Sequence, residues 1–305
     1  MIVNNLFPVL ALVVLGHFLK AGGFTSDRFL KMSDRLIYFI FFPILLFWKI
    51  GGTPIQSGLD WGYCQAAFCT LAVVYGASIL AIRLFRIGAF QAGTFAQSCF
   101  RFNTYIAVAV IMNALGEPGV RYFGILIGVM IPLINVLAVA TLIWFSGKKV
   151  GFKERVRLTG RALIVNPLIL ACVAGMLYAR FFRGFPVFVE NTFRLAAAVT
   201  LPLALLSIGG ALTVKTLKNY FPAAVLAAGI KLILLPVTGT FFLSIFDVTG
   251  MTRQVAMLFF AMPTATGIFV LSGQLDSDTD LASATILLST ILSFFSLSAV
   301  LVWGF

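Results

Sequence analysis

The chain has 305 residues, 61% of them apolar and only 10% charged, which excludes an ordinary water-soluble domain. Its apolar runs are continuous, without period-two alternation, which excludes a membrane β-barrel and predicts an all-α polytopic membrane protein. The formal net charge is +12, but the cations are scattered over short connections between apolar runs, so membrane lipid and not nucleic acid is the expected partner.

Ten spans are expected, at roughly 3–19, 36–52, 61–80, 89–115, 122–145, 162–179, 195–214, 221–246, 254–275 and 281–304. No basic residue precedes the apolar stretch Met1 to Leu19, so it reads as the first span and not as a cleavable signal. Loops after odd-numbered spans hold fourteen cations, and loops after even-numbered spans and their edges hold six. That bias puts the odd loops in the cytoplasm and both termini outside. The most basic stretch, 146–161, is the expected cytoplasmic connection between a first half, 1–145, and a second, 162–305.

The halves correspond. Pro8 and Gly16 recur as Pro167 and Gly175, Arg35-Leu36 as Arg194-Leu195 and Pro43 as Pro202, all at one offset. Gly51-Gly52 matches Gly209-Gly210 with a one-residue slip, and Thr104 matches Thr264. Each half holds an odd number of spans, so the second copy inserts upside down. The expected fold is therefore ten transmembrane helices in two inverted five-helix repeats, the pattern of secondary transporters.

Two polar interruptions fall in the middle of apolar spans. The fourth contains Arg101-Phe102-Asn103-Thr104-Tyr105, and the ninth contains Ala261-Met262-Pro263-Thr264-Ala265-Thr266. Arg101 is expected about 18 Å along its helix, where insertion costs at least about 2.5–3.5 kcal/mol. Lys231 is expected about 15 Å into the eighth span, too deep to snorkel fully. The ten acidic residues all fall in loops or at span ends, so an anionic substrate would complement the two cations. The competing reading pairs both cations with backbone carbonyls freed at the breaks, or lets them snorkel partway. Pro263 frees one such carbonyl, and Asn103, Thr104, Thr264 and Thr266 can rebond the local backbone. The half-helices that begin after each break would offer positive N-terminal ends to a carboxylate. For Pro263 alone, a simple kink is the competing account. Pro43 and Pro202 read as bends in scaffold helices, and Asp276, Asp278 and Asp280 as a solvated cytoplasmic turn.

The segment Arg101 to Ala107, followed by Ala114-Leu115-Gly116, resembles the fourth span of the auxin efflux carrier family. So does Ala261 to Leu271, with the trailing Leu288-Ser289-Thr290-Ile291-Leu292-Ser293. The resemblance covers essentially the whole chain. It implies a fold shared with bile-acid:sodium symporters, divided into scaffold and transport domains, with discontinuous fourth and ninth spans that cross beside the substrate. Asn103 would be the polar residue of the first crossover and Pro263 the proline of the second. The fourth-span break lacks the proline of the plant exporters, and the long central loop is absent, which argues against auxin. Short members of the family are bacterial permeases, including malonate and malate carriers, which implies a small carboxylate and a bacterial inner membrane.

The expected function is elevator-like secondary transport of a small organic anion, with Arg101, Asn103, Thr104, Lys231, Pro263, Thr264 and Thr266 at the site. No cofactor or metal is expected, and the drive is membrane potential or a coupling ion, Na+ or H+. A homodimer through scaffold spans such as the second and seventh is implied by family analogy. The alternative is a ligand-binding sensor or channel-like protein without coupled transport. An intramembrane enzyme is disfavoured, because the chain has one histidine, no His-Glu-x-x-His and no carboxylate pair.

Overall fold

The computed structural model describes residues 2–52, 61–145, 151–182, 184–211 and 214–303, and every regular element among them is helical. In chain order these are α1 (Ile2–Ala21), α2 (Asp27–Leu36), α3 (Phe42–Gly51), α4 (Trp61–Leu84), α5 (Ala89–Phe100), α6 (Thr104–Phe145) and α7 (Phe152–Ile164). There follow α8 (Pro167–Phe181), α9 (Val187–Ala211), α10 (Val214–Gly229), α11 (Leu235–Ile245), α12 (Gly250–Ala261), α13 (Gly267–Gln274) and α14 (Thr279–Trp303). Among the described residues, five helical stretches are long and apolar enough to cross a membrane: 61–84, 104–145, 187–210, 217–245 and 279–302. Of the other stretches read as spans from sequence, α1 covers 3–19 without a break, and the rest are covered by shorter or interrupted helices. Of the basic connection, 146–150 with Lys148 and Lys149 lies outside the described residues, and α7 begins at Phe152.

The local sequence explains most interruptions. Pro43 and Pro236 lack the N–H that would close the preceding turn, and each is preceded by one π-helical turn, Ile37–Phe41 and Ile230–Leu234. The bonds there run five residues apart, from Phe42 N–H to the Ile37 carbonyl and from Leu235 N–H to the Ile230 carbonyl. Pro202, by contrast, is carried inside α9. Within α6 the regular dihedrals fail only at Gly116, whose φ of 67° is a left-handed value that glycine adopts freely. The fourth and fifth apolar spans thus join by a single-residue break.

Two compact units emerge. The first comprises residues 1–60, 108–131 and 164–211, and the second 61–107, 132–163 and 212–305. Each draws on both halves of the sequence.

In the first unit α1 packs on α9 and α3 on α8. Glycine permits both approaches. A Cβ on Gly16 would overlap the Leu206 backbone, and one on Gly209 would overlap the Val13 carbonyl. Gly175 lies against Ile50, and Gly51 lies 3.6 Å from the Gly175 Cα on the same measure. The repeated glycines of the sequence are therefore contact points of α1 with α9 and of α3 with α8. Phe47, Tyr178, Phe185 and Phe193 close one end with stacked and edge-on rings. Lys49 joins Glu117 and lies 3.9 Å over the Trp48 ring.

Asp34, near the end of α2, accepts a hydrogen bond from the Ser207 hydroxyl. Burial raises its carboxyl above the ordinary value of 3.8, more than the Ser207 hydroxyl lowers it. The folded protein then holds the proton more tightly than the unfolded chain, so stability falls as pH rises from about 4 through the raised value. Asp34→Asn should therefore raise the melting temperature at pH 7, and the difference from wild type should shrink as pH approaches 4. Melting curves in detergent across that interval test this, and a gap that widens on acidification would reverse the sign.

Candidate functional site

The site is built in the second unit by two broken helices. α5 ends at Phe100, and Arg101 turns to extended backbone with φ −73° and ψ 131°. α12 ends at Ala261, and Met262 is extended too, at φ −66° and ψ 147°. Met262 precedes Pro263, whose ring disfavours helical backbone at the residue before it. The first break has no proline. There Asn103 stops one helix by starting the next: its Oδ1 accepts from the Tyr105 and Ile106 N–H groups, each at 3.1 Å.

The two extended segments pair antiparallel, Phe102 opposite Thr264. Asn103 N–H donates to the Pro263 carbonyl at 2.8 Å, and Ala265 N–H donates to the Arg101 carbonyl at 3.2 Å. Backbone freed by each break is thereby satisfied by the other, as a water-free interior requires. Side chains pin the crossing. The Thr264 hydroxyl donates to the Ser98 carbonyl at 2.9 Å, and Thr264 N–H donates to Ser289 Oγ at 3.1 Å.

Arg101 is half-buried beside this crossing. Its Nη1 donates to Gln97 Oε1 at 3.1 Å and its Nη2 to Asn135 Oδ1 at 3.2 Å, both neutral amide oxygens. Gln97 in turn donates to Ser272, which shares hydrogens with Thr94, and Thr94 with Ser277, a buried polar seam between α5 and the α13 region. α13 starts with no side-chain cap, since Thr266 supplies none. Its first residue, Gly267, is exposed, and a Cβ there would stand 3.7 Å from Arg101 Nη2. A guanidinium and the positive end of a helix therefore lie side by side, an arrangement that suits an anion.

Among the described residues, two buried side-chain nitrogens have no hydrogen-bond partner. Asn103 is 1% exposed, and its Nδ2 has no hydrogen-bond partner in the structure. Lys231 is 0% exposed, and its Nζ likewise has none. Because Oδ1 of Asn103 is fixed by the two N–H groups it caps, the orientation of the amide follows. Asn103→Ser should keep the cap and cost at most a few tenths of a kcal/mol, whereas Asn103→Ala should cost about 0.5–2 kcal/mol. Both remove the spare amide donor. Parallel melting and anion-affinity measurements separate the roles: equal melting loss in the two variants would discount capping.

Of the residues expected from sequence, Arg101, Asn103, Pro263 and Thr264 meet at the crossing. Thr104 and Thr266 open the two following helices, both half-buried. Lys231 lies apart, on the π turn of residues 230–234, with the Cys99 thiol of α5 as its titratable neighbour. Gln97 and Asn135 were indistinguishable in sequence from other polar residues of the spans, and their part in holding Arg101 comes from packing alone. The aspartate turn differs from expectation. Asp278 is 3% exposed and caps α14, accepting from Asp280 and Leu281 N–H groups, while its other oxygen takes a hydrogen bond from Gln91. Asp278 is thus a buried cap, because the α14 N-terminus supplies donors that replace water, whereas Asp276 and Asp280 are exposed as expected.

Long apolar helices and two paired breaks around a polar crossing fit a membrane transport protein. The chain belongs to the membrane transport protein family, that of the auxin efflux carriers, which matches residues 1–301. It is 23% identical over 305 residues to an uncharacterized transporter of Methanocaldococcus jannaschii, covering 97% of this chain and 96% of the relative. An uncharacterized transporter of Methanothermobacter thermautotrophicus is 25% identical over 301 residues, 96% of this chain and 95% of that one. A Rhizobium meliloti protein named "Putative malonate transporter" is 26% identical over 309 residues, 98% of this chain and 95% of the relative.

Proposed function

We propose that this protein is a secondary active transporter of a small organic anion, a mono- or dicarboxylate such as malonate or malate, working by elevator-like alternating access. The observation that carries the reading is Arg101, held by the neutral amides of Gln97 and Asn135 next to the uncapped start of α13. A carboxylate seated there meets a forked cation and the Gly267 N–H end of α13. The name carried by the Rhizobium meliloti relative agrees with a dicarboxylate. The exchange of partners between halves in the first unit, α1 on α9 and α3 on α8, supports two inverted repeats. In this reading the first unit is scaffold, where a homodimer through the second and seventh spans would form, and the second unit carries the substrate.

The drive is membrane potential, worth about 2.3 kcal/mol per charge per 100 mV, or an ion gradient. Uptake of labelled mono- and dicarboxylates into proteoliposomes, with voltage, proton and sodium gradients imposed separately, tests the reading. Saturable uptake that follows one gradient is the expected result. Folded protein that moves no anion under any gradient would overturn it.

A further inference from the structure

We propose that Lys231 is the proton carrier of this transporter, its amine taking up a proton as an anion occupies the crossing and releasing it as the anion leaves. The inference rests on the anion-transport reading above and adds the coupling ion and the residue that binds it.

The geometry has three parts. Lys231 is wholly buried, and its Nζ, which has three donor hydrogens when charged, has no hydrogen-bond partner in the structure. It sits on the π turn that precedes Pro236, and this turn packs against α4, α5, α10, α11, α12 and α14. The groups on those elements supply no counter-charge. From α5 the Cys99 thiol faces the amine, with its own hydrogen given to the Phe95 carbonyl at 3.2 Å. α11 carries no ionisable residue. The charged residues of the others stand toward helix ends: Arg83 in the last turn of α4, Lys215 and Lys218 early in α10, Arg253 in the first turn of α12 and Asp280 in that of α14. Tyr63, Cys64, Cys69 and Tyr75 on α4 and Tyr220 on α10 complete the set of titratable groups. Tyr75 shares a hydrogen with Thr141 at 3.0 Å.

An ammonium in this pocket has neither acceptor nor counter-charge, whereas a neutral amine is tolerated. Cys99 stands two residues before Arg101, so Lys231 lies alongside the last turn of α5, the turn that leads into the crossing. An anion at Arg101 adds negative charge at the same level but across α5 from the amine, where the low-dielectric interior carries its field. The proton passes from water on the loading side to Nζ and returns to water on the other side when the anion departs. A monocarboxylate then crosses with no net charge, and a dicarboxylate dianion crosses with one negative charge.

Labelled malonate in proteoliposomes is the probe, with voltage clamped to zero and a pH gradient, alkaline inside, imposed across the membrane. Wild type should accumulate malonate at least about fivefold over the equal-pH control. Lys231→Met and Lys231→Arg remove the exchangeable proton, one leaving no charge and the other a permanent one, and whatever uptake remains should ignore the pH gradient. Independently, malonate added to detergent-solubilised wild type in weakly buffered dye solution should cause net proton uptake near one per protein, a readout that stands even if neither variant is stable. Wild-type transport indifferent to the pH gradient, absent proton uptake on binding, or a Lys231→Met protein that still follows the gradient would each overturn the assignment. Wild type that moves no malonate or other carboxylate under any gradient would instead remove the anion-transport reading itself, and the proton assignment with it.

Discussion

Arg101→Gln should abolish most anion uptake while leaving the fold in place. A hydrogen bond to a charged group contributes about 1.5–3 kcal/mol, so loss of the guanidinium should cost roughly tenfold to 150-fold in uptake at low substrate. The side chain is half-buried, and its Gln97 and Asn135 partners lie close enough to rebond to a glutamine or to water. Its melting temperature should therefore stay near that of wild type. Arg101→Lys should recover only part of the loss, because a point charge cannot span two amide oxygens and a carboxylate with the planar fork of arginine. Initial uptake rates at several substrate concentrations, together with melting curves, check the pair. Uptake unchanged in Arg101→Gln would assign the arginine a structural role and remove the basis of the anion reading.

Gly209→Ala should have the opposite profile, a loss of fold with no direct effect on the site. Its Cβ would fall on the Val13 carbonyl of α1, and backbone, unlike a flexible side-chain end, cannot swing aside. α1 and α9 must separate, and every contact along that seam loosens. Overpacking of this kind costs typically about 1–3 kcal/mol and sometimes more. Gly16→Ala meets the Leu206 backbone on the same seam and should behave alike. Gly76→Ala is the control, since a Cβ there meets nothing within 4 Å. It should be neutral or slightly stabilising, by up to about 1 kcal/mol as glycine is replaced in a helix interior. Melting temperature and monodispersity in detergent distinguish the three. A Gly209→Ala protein as stable as Gly76→Ala would mean that the close approach of α1 to α9 is not maintained in solution.

Much of this protein follows from sequence alone, for a definite reason. Long apolar segments must satisfy their own backbone in a membrane, which leaves helices as the available structure. Local chemistry also announces where a helix cannot continue. Pro263 forces Met262 out of helical backbone, and an asparagine with a free carbonyl at position 103 can open a new helix, so both breaks are readable within a few residues of chain. Gly16, Gly175, Gly51 and Gly209 were visible as a repeated pattern, but what each glycine touches was not, because the contact belongs to a partner far away in sequence.

The site was legible in part for the same reason. Arg101, Asn103, Pro263 and Thr264 stand out as polar or helix-breaking residues inside apolar runs. Gln97 and Asn135 do not, since a polar side chain on an apolar helix follows the same 3.6-residue period whether it faces a cavity, a seam or another helix. Asp278 looked solvated because aspartates in a turn usually are, until α14 supplied the donors that bury it. What the sequence by itself determined was helices, their breaks and the stock of charges within them, all consequences of local backbone chemistry and of the solvent. Tertiary structure alone decided that Phe102 lies opposite Thr264, that two amides steady Arg101 and that Lys231 is buried without a partner, because those facts depend on which distant backbone and side-chain groups come within hydrogen-bond reach.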